Sequence, residues 1–229
     1  MIYAISDLHL SLNGSKPMEV FGDDWTNYLA TVEESWRATV SEDDVVLLAG
    51  DLSWEMKLDG AVKDAEWVHA LPGQKVIIRG NHDYWWSSYN KVCSALPSSI
   101  HAIQNNAIRL GNAVFCGSRG WMPTPEDGDA NDRKLWLREL TRMQLALEDA
   151  AKQRKEGDKL IAMVHYPPFV GKFEPTQMTD LFDTFHVDAV VYGHVHGKHS
   201  FHRDVADIHG IKYYLTSTDM VDHHLVKID

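Results

Sequence analysis

Short apolar runs alternate along this chain with longer stretches in which apolar residues recur every three or four positions. The runs IYAIS, VVLLAG, VIIRG, LIAMV and VVYG are rich in Val and Ile, which predicts buried β-strands. Helical spacing predicts helices over residues 25–40, 61–71, 84–96, 135–155 and 176–185. In the longest helix we expect the buried face to carry Leu137, Leu140, Met143, Leu147 and Ala151.

The pattern changes to shorter β-type pieces at residues 106–117 and again after residue 196. The later pieces cover about residues 198–202, 211–217 and 224–228, and their short length favours antiparallel pairing. Strands that alternate with helices, together with such pieces, predict an α/β protein with mixed sheets. No Pro-rich, Gly-rich or Ser-rich linker divides the sequence, so we expect a single domain over residues 1–229.

The composition narrows the classes of function. The chain has 33 acidic and 22 basic residues, a formal net charge of −11, and no run of Lys or Arg. This balance opposes binding to nucleic acids and to anionic lipid. The sequence shows neither a signal segment nor an apolar stretch of about 18 residues, which predicts a cytoplasmic protein with no membrane partner. Its two cysteines, Cys93 and Cys116, imply no disulfide framework, and we expect both in the core.

Each of the five apolar runs leads to a side chain that can bind a metal ion. These side chains are Asp7, Asp51, Asn81, His165 and His194. Ligands of an open α/β sheet bind at the carboxyl ends of its strands, so we expect the five side chains to converge there. A glycine precedes three of them, and it permits the close backbone approach that a crowded centre needs.

Two of these residues belong to pairs that are spaced two positions apart. Asp7 and His9 form a DxH pair, and His194 and His196 form an HxH pair. In extended backbone, both members of such a pair project to the same side. The carboxylate, amide and imidazole donors suit transition metals such as Mn, Fe or Zn. Seven ligands exceed one tetrahedral site and suffice for two ions that share a bridging carboxylate.

The ordered motifs DxH, GDLSWE, GNHD, a strand-ending VH and GHVH resemble those of the calcineurin-like metallophosphoesterases. The resemblance implies a four-layer α/β/β/α sandwich, in which helices flank two mixed sheets and a dinuclear metal centre lies at the sheet edge. It implies that one ion is held by Asp7, His9, Asp51 and His196. It implies that the other is held by Asp51, Asn81, His165 and His194, with Asp51 bridging.

The resemblance also implies a reaction. Two divalent or trivalent ions would polarise a phosphate ester and activate a hydroxide, which attacks phosphorus. His82 would protonate the leaving oxygen as a general acid, and Asp83 would orient His82. Asn81 and Arg119 are candidate substrate-binding residues, because a guanidinium in a glycine-flanked turn offers paired donors to a phosphate. A surface turn is the alternative for Arg119.

We therefore expect an enzyme that hydrolyses a small phosphomonoester or phosphodiester, nucleotides included. A protein phosphatase and a noncatalytic metal-binding scaffold of the same fold remain alternatives. Trp54 departs from the family pattern, since many members carry an acidic or amide residue three places after the GD aspartate. For Trp54, Trp85, Trp86 and Trp121, core packing is favoured over stacking on a substrate.

The sequence leaves open the roles of two other features, a long loop and the remaining histidines. Residues 12–24 form a long loop after the first ligand pair, and this loop either shapes the pocket as a lid or connects two elements. The remaining histidines lack neighbouring ligand residues, and surface or structural roles are favoured for all of them. They are His69, His101, His186, His199, His202, His209, His223 and His224.

Overall fold

Two mixed β-sheets lie face to face in the computed structural model, which describes residues 1–197 and 205–229. In spatial order, the first sheet contains β11 (Val226–Lys227), β1 (Ile2–Ala4), β2 (Val45–Leu48), β3 (Gln74–Ile77) and β4 (Ile100–Ala102). The second contains β5 (Asn106–Leu110), β6 (Ala113–Gly117), β7 (Lys159–Met163), β8 (Ala189–Tyr192), β10 (Ile211–Leu215) and β9 (Ala206–Ile208).

Helices cover the outer face of each sheet. They are α1 (Tyr28–Thr39), α2 (Leu58–His69), α3 (Tyr89–Ala95), α4 (Ala130–Gln153) and α5 (Gln177–Thr184). Helices α1 to α3 pack on the first sheet, and α4 and α5 pack on the second. The alternation along β2 shows the layering, because Val46 and Leu48 face the helices while Leu47 faces the other sheet. The α/β/β/α sandwich with two mixed sheets is therefore confirmed.

The five predicted helices are present, but two of them begin about five residues from the predicted start. Helix α3 begins at Tyr89 rather than at residue 84, and the longest helix is also corrected. Helix α4 begins at Ala130 rather than at residue 135, because the Asp129 side chain accepts hydrogen bonds from the first free N–H groups. Its buried stripe includes Trp136 and Met143, whereas Leu137 is 43% exposed. The predicted face was offset because it left out Trp136, the largest apolar side chain on the helix.

Strand β10 corrects the expected antiparallel pairing of residues 211–217. It pairs antiparallel with β9 and parallel with β8. The chain reverses at the β9–β10 turn, so β10 runs in the direction of β8. The antiparallel prediction is confirmed for β11 beside β1, while residues 198–202 lie outside the described residues. The pieces at residues 106–117 form the antiparallel hairpin β5–β6.

Cys93 corrects the expectation that both cysteines lie in the core. Cys116 is buried in β6, but Cys93 is exposed on α3. Helix α3 is short and buries only Val92, so a neighbouring position on it faces outwards. Among the described helices, none combines the length and the hydropathy of a membrane span.

Candidate metal centre

The carboxyl ends of the strands from both sheets meet at one edge of the molecule. Backbone hydrogen bonds join these ends, from Asp7 N to Gly50 O at 3.0 Å and from Ser6 N to Thr216 O at 2.7 Å. The second of these bonds links β1 of the first sheet to β10 of the second. The segments that follow the predicted strands are therefore held against one another, as the sequence predicted from strand direction.

Four of the predicted ligands adopt left-handed backbone conformations. The φ angles are 55° for Asp7, 48° for His9, 53° for Asp51 and 72° for His194. Such angles are uncommon for residues other than glycine, and they cluster at functional sites where the surrounding structure enforces them. The turns after the strands thus hold these side chains in directions that an extended chain would not give.

Asp7, His9 and His196 form one group in which single ligand atoms all lie within 4.8 Å of one another. His196 Nε2 is 3.6 Å from Asp7 Oδ1, and His9 Nε2 is 3.8 Å from Asp51 Oδ2. His9 also has a buried Nδ1 atom that finds no hydrogen-bond partner among the described residues. Three of the four residues expected for the first ion therefore lie together, and Asp51 lies beside His9.

Asp7, Asp51 and His165 form a second such group. His165 Nε2 is 3.5 Å from Asp51 Oδ2. Asn81 Oδ1 lies between two imidazoles, 2.6 Å from His165 Nε2 and 2.9 Å from His194 Nδ1. Asn81 and His194 therefore lie beside His165 of the second group, while Asp7, which was expected at the first ion alone, belongs to both groups.

The donors fit a cation because they combine burial with excess negative charge. Asp7 and His165 are fully buried, Asp51 is 1% exposed and His9 is 3% exposed. Buried carboxylates need a compensating charge, since their removal from water is costly. The donor types also suit two transition-metal ions, as the sequence predicted.

Protons on the imidazoles balance these carboxylates when no cation does so. Burial opposes protonation of His165, but the neighbouring Asp51 raises its pKa to about 9. In the same way burial opposes protonation of His196, while Asp219 and Asp7 raise its pKa to about 10. Burial lowers the pKa of His9 to about 4. Protonated His165 and His196 thus offset the negative charges of Asp51 and Asp7 when no cation is bound.

Two of the three glycines that precede ligands leave space for carboxylates. A Cβ atom on Gly80 would lie 2.0 Å from Asp51 Oδ1, and one on Gly193 would lie 2.3 Å from Asp7 Oδ2. Any side chain at either position would displace the carboxylate beside it. The close approach expected from the sequence is therefore present in the structure.

Asp83 ties the GDLS and GNHD turns together from within the core. It is fully buried, and its two oxygens accept hydrogen bonds from five N–H groups. The donors are the backbone N–H groups of Asp51, Leu52, Ser53 and Gly80 and the indole of Trp85. These bonds place Asp83 behind the candidate ligands, where it joins both turns, and its orientation of His82 stays a prediction.

His82 lies between the metal ligands and the adjoining cavity. Its backbone N–H donates to Asp51 Oδ1 at 2.8 Å. Its ring centroid is 4.6 Å from that of Trp54 and 5.7 Å from that of His9. Its Nδ1 atom is buried, and no residue in the described ranges 1–197 and 205–229 forms a hydrogen bond with it. The ring therefore faces the centre without belonging to either ligand group.

Ser217 and Asp219 support the ligands and were not singled out from the sequence. Ser217 Oγ donates to Asp7 Oδ2 at 2.9 Å, and Asp219 Oδ1 lies 2.8 Å from His196 Nδ1. The signal was present, because these residues follow the apolar run of β10 as the other site residues follow their strands. Contacts of this kind orient metal-binding imidazoles and carboxylates.

A cavity of about 640 Å³ opens beside the centre. It is lined by His9, Met18, Phe21, Asp24, Trp25, Trp54, His82, His196, Gly197 and Asp219. Of the loop over residues 12–24, Met18, Phe21 and Asp24 thus form part of the wall, so the loop shapes the pocket. Trp54 is half-buried in this wall, unlike Trp85 and Trp86, which are core residues as predicted.

Arg119 lies on the turn next to His165. Its backbone oxygen accepts a hydrogen bond from His165 N at 2.9 Å, and its guanidinium lies 4.8 Å from the centroid of the Trp121 ring. A substrate-binding role for Arg119 therefore stays a prediction. Of the other histidines, His69, His101 and His209 bond to Ser99, Gln74 and Asp183, which fits structural roles, while His199 and His202 lie outside the described residues.

Comparisons with known proteins agree with the geometry. A sequence family described as calcineurin-like phosphoesterase matches residues 1–198. The Gene 66 protein of Mycobacterium phage L5 is 33% identical over 78 residues, which are 34% of this chain and 37% of that protein. The chain thus matches less than half the length of this relative.

Two solved structures share the fold. TT1561 of Thermus thermophilus has a TM-score of 0.55 at 12% identity, with 98% of this chain and 96% of that one covered. AQ665 of Aquifex aeolicus, a protein of unknown function, has a TM-score of 0.52 at 14% identity, with 99% and 94% covered. At this identity the likeness concerns the fold alone.

Proposed function

We propose that this chain, which belongs to the calcineurin-like phosphoesterase family, is a two-metal enzyme that hydrolyses phosphomonoesters or phosphodiesters. The observation that carries the proposal is the convergence of two groups of ligand atoms that share the buried Asp7 carboxylate. Asp51 Oδ2 lies between them, 3.8 Å from His9 Nε2 and 3.5 Å from His165 Nε2. A metallophosphoesterase follows from the family and from these groups. The substrate, the proton donor and the role of each residue are our proposals.

The ligands divide between two ions. Asp7, His9, Asp51 and His196 would hold the first, and Asp51, Asn81, His165 and His194 would hold the second. Ions of Mn, Fe or Zn would polarise the phosphoryl group and lower the pKa of a water molecule from 15.7 to about 7. Asn81, and Arg119 from the turn beside His165, would orient the phosphate by hydrogen bonding.

His82 donates the proton that the leaving oxygen needs. Its position supports this role, because the ring lies beside the centre, lines the cavity and is tied to Asp51 through its backbone. A side chain must be within hydrogen-bond reach of the leaving oxygen to act as a general acid. Asp83 acts as a positioning residue, since it fixes the turn that carries His82.

We also propose the domain organisation, the substrate class and the location of the enzyme. We take residues 1–229 as one domain, with a small phosphate ester as substrate, nucleotides included. The net charge of −11 argues against a nucleic acid partner. The free thiols of Cys93 and Cys116 support a cytoplasmic location. A protein phosphatase or a noncatalytic scaffold would be the alternatives.

Metal analysis combined with ester hydrolysis tests the proposal. The purified protein, loaded with Mn, should contain two ions per chain and hydrolyse a chromogenic monoester or diester. Asp51→Asn should lose both properties, because it removes the carboxylate that we propose bridges the two ions. Absence of metal and of turnover in the unaltered chain would favour the scaffold, and turnover confined to phosphopeptides would favour the protein phosphatase.

A further inference from the structure

We infer that the cavity beside the metal centre receives a planar aromatic group of the substrate, and that Trp54 is its main wall. The inference rests on the proposed phosphoesterase function and names the class of ester. That class is a phosphate ester whose leaving alcohol carries a flat ring, such as a nucleobase or an aryl group. The ring would lie against the indole while the phosphate reaches the ligands.

The walls of the cavity are aromatic on several sides. The rings of Trp54 and His9 are stacked, with centroids 4.7 Å apart and an angle of 19° between their planes. Phe21 lies nearly parallel to Trp54, at 14° and a centroid distance of 6.5 Å. Trp25 and Met18 complete an apolar lining. Such a slot favours flat rings, because stacking brings many atoms into contact at small conformational cost.

The volume and the position of the cavity suit a leaving group. A volume of about 640 Å³ lies within the range of about 300–1,000 Å³ that small-molecule sites occupy. Two proposed ligands, His9 and His196, and the proposed acid, His82, line the same cavity. A group bound there therefore extends from the phosphate on the side from which the proton arrives.

In the described part of the chain, the cation that lies over the indole is Lys16. Its Nζ atom is 4.3 Å from the centroid of the Trp54 ring, and the side chain is exposed. Cation–π contacts at exposed sites are weak, so an incoming ring can replace this ammonium. Phe21 is 64% exposed, and its side chain can likewise move to admit a ring.

Contacts of both the backbone and the indole hold Trp54 in the cavity wall. Its backbone N–H donates to Leu10 O at 2.9 Å, and its indole N–H donates to Met18 Sδ at 3.1 Å. His9 packs on the ring, so the indole is supported on one side.

Two matched pairs of substrates test the inference in the Mn-loaded protein. Benzyl phosphate is compared with cyclohexylmethyl phosphate, and adenosine 5′-monophosphate with ribose 5-phosphate. Within each pair the ester bond is to a primary alcohol, and the difference is the flat ring. We expect kcat/KM to favour the aromatic member by about 3- to 10-fold for the benzyl pair and at least about 5-fold for the nucleotide pair.

Variants show which side chains cause the preference for aromatic esters. Trp54→Leu should reduce the aromatic preference to near unity, and Phe21→Leu should reduce it in part. A ratio within one variant cancels any general loss of activity that follows from the contact of Trp54 with His9. Trp67→Leu is the matched control, because it removes a half-buried indole from α2, outside the cavity, and should leave the ratio unchanged.

Binding provides a readout that does not depend on turnover. Benzylphosphonate and cyclohexylmethylphosphonate, which are not hydrolysed, are titrated calorimetrically into the same proteins. The benzyl compound should bind more tightly by a similar factor, and the difference should disappear in Trp54→Leu. Metal content is measured in each variant alongside.

The outcomes separate the inference from the function beneath it. A protein that hydrolyses all four esters without aromatic preference, or whose preference survives Trp54→Leu, overturns the inference and leaves the phosphoesterase intact. A preference in only one pair upholds the slot and identifies the ring as aryl or nucleobase. A protein with no turnover of any ester overturns the proposed function instead.

Discussion

His82 and Asp83 are adjacent in the sequence, yet the structure gives them separate surroundings. The His82 ring faces the cavity and the ligands, while the Asp83 carboxylate is enclosed by N–H donors in the core. Substitutions at the two positions should therefore affect different properties, one the reaction and the other the stability of the centre.

His82→Asn should retain both metal ions and lower the turnover of esters with poor leaving groups by about 10²- to 10⁴-fold. Esters with good leaving groups need less proton donation and should lose much less. Steady-state rates over a series of aryl phosphates, with metal content measured in parallel, check this expectation. His101→Asn, which alters a histidine of β4, is the control. Unchanged turnover of the poorest leaving groups would refute the acid role.

Asp83→Asn should destabilise the protein, because an amide NH₂ would replace one acceptor that faces several N–H groups. We expect the free energy of unfolding to fall by about 2–3 kcal/mol. Metal binding should weaken as well, since the two turns lose their common anchor. Urea denaturation of the metal-free protein measures the first effect. The exposed Asp127→Asn variant should match the unaltered chain.

At the level of helices and strands, the sequence predicted where each element lies better than which elements lie beside it. Apolar runs located the strands that precede the ligands, because a buried strand needs an unbroken apolar stretch. Strand β10 could not be oriented in this way, since its direction depends on the reversal at the β9–β10 turn. The turn conformation of Asp7 and the contacts of Asp219 likewise depend on parts of the chain that are distant in sequence.

The ion pair between Arg109 of β5 and Asp158, just before β7, makes the stability of the fold depend on pH. Hydrogen bonds from Arg109 at 2.6 and 2.9 Å lower the pKa of Asp158 from 3.8 to about 2. The folded-state pKa lies below the unfolded value, so the pair stabilises the fold above pH 4. That stabilisation is lost as the pH falls from about 4 towards 2.

Asp158→Asn tests this dependence. The variant should have a lower thermal midpoint than the unaltered chain at pH 7, and the difference should shrink between pH 4 and pH 2. Thermal unfolding followed by circular dichroism at pH 7, 4 and 2.5 measures it. Asp127→Asn again serves as the comparison, and a gap that stays constant over this range would contradict the assignment.

For the molecule as a whole, the metal centre joins the two sheets. Asp7 and Asp51 follow strands of the first sheet, and His165 follows a strand of the second. Ions bound between them would therefore resist separation of the two layers. Removal of the ions should affect global unfolding and not only the local turns.

Chelation should lower the thermal midpoint of the Mn-loaded protein. With free metal at about 100 times its dissociation constant, a bound ion adds about 2.7 kcal/mol, which corresponds to about 5–10 °C for a chain of this size. Differential scanning calorimetry with and without chelator measures the change. The Asp51→Asn variant should show no such response, and a similar response in that variant would assign the effect to metal bound elsewhere.

Ser217 and Asp219, which contact Asp7 and His196, lie beyond the part of the chain that matches the family. That match ends at residue 198. The contacts that orient Asp7 and His196 therefore come in part from a segment outside the matched motifs. A substitution in this segment would change how these two side chains are held and leave every motif intact.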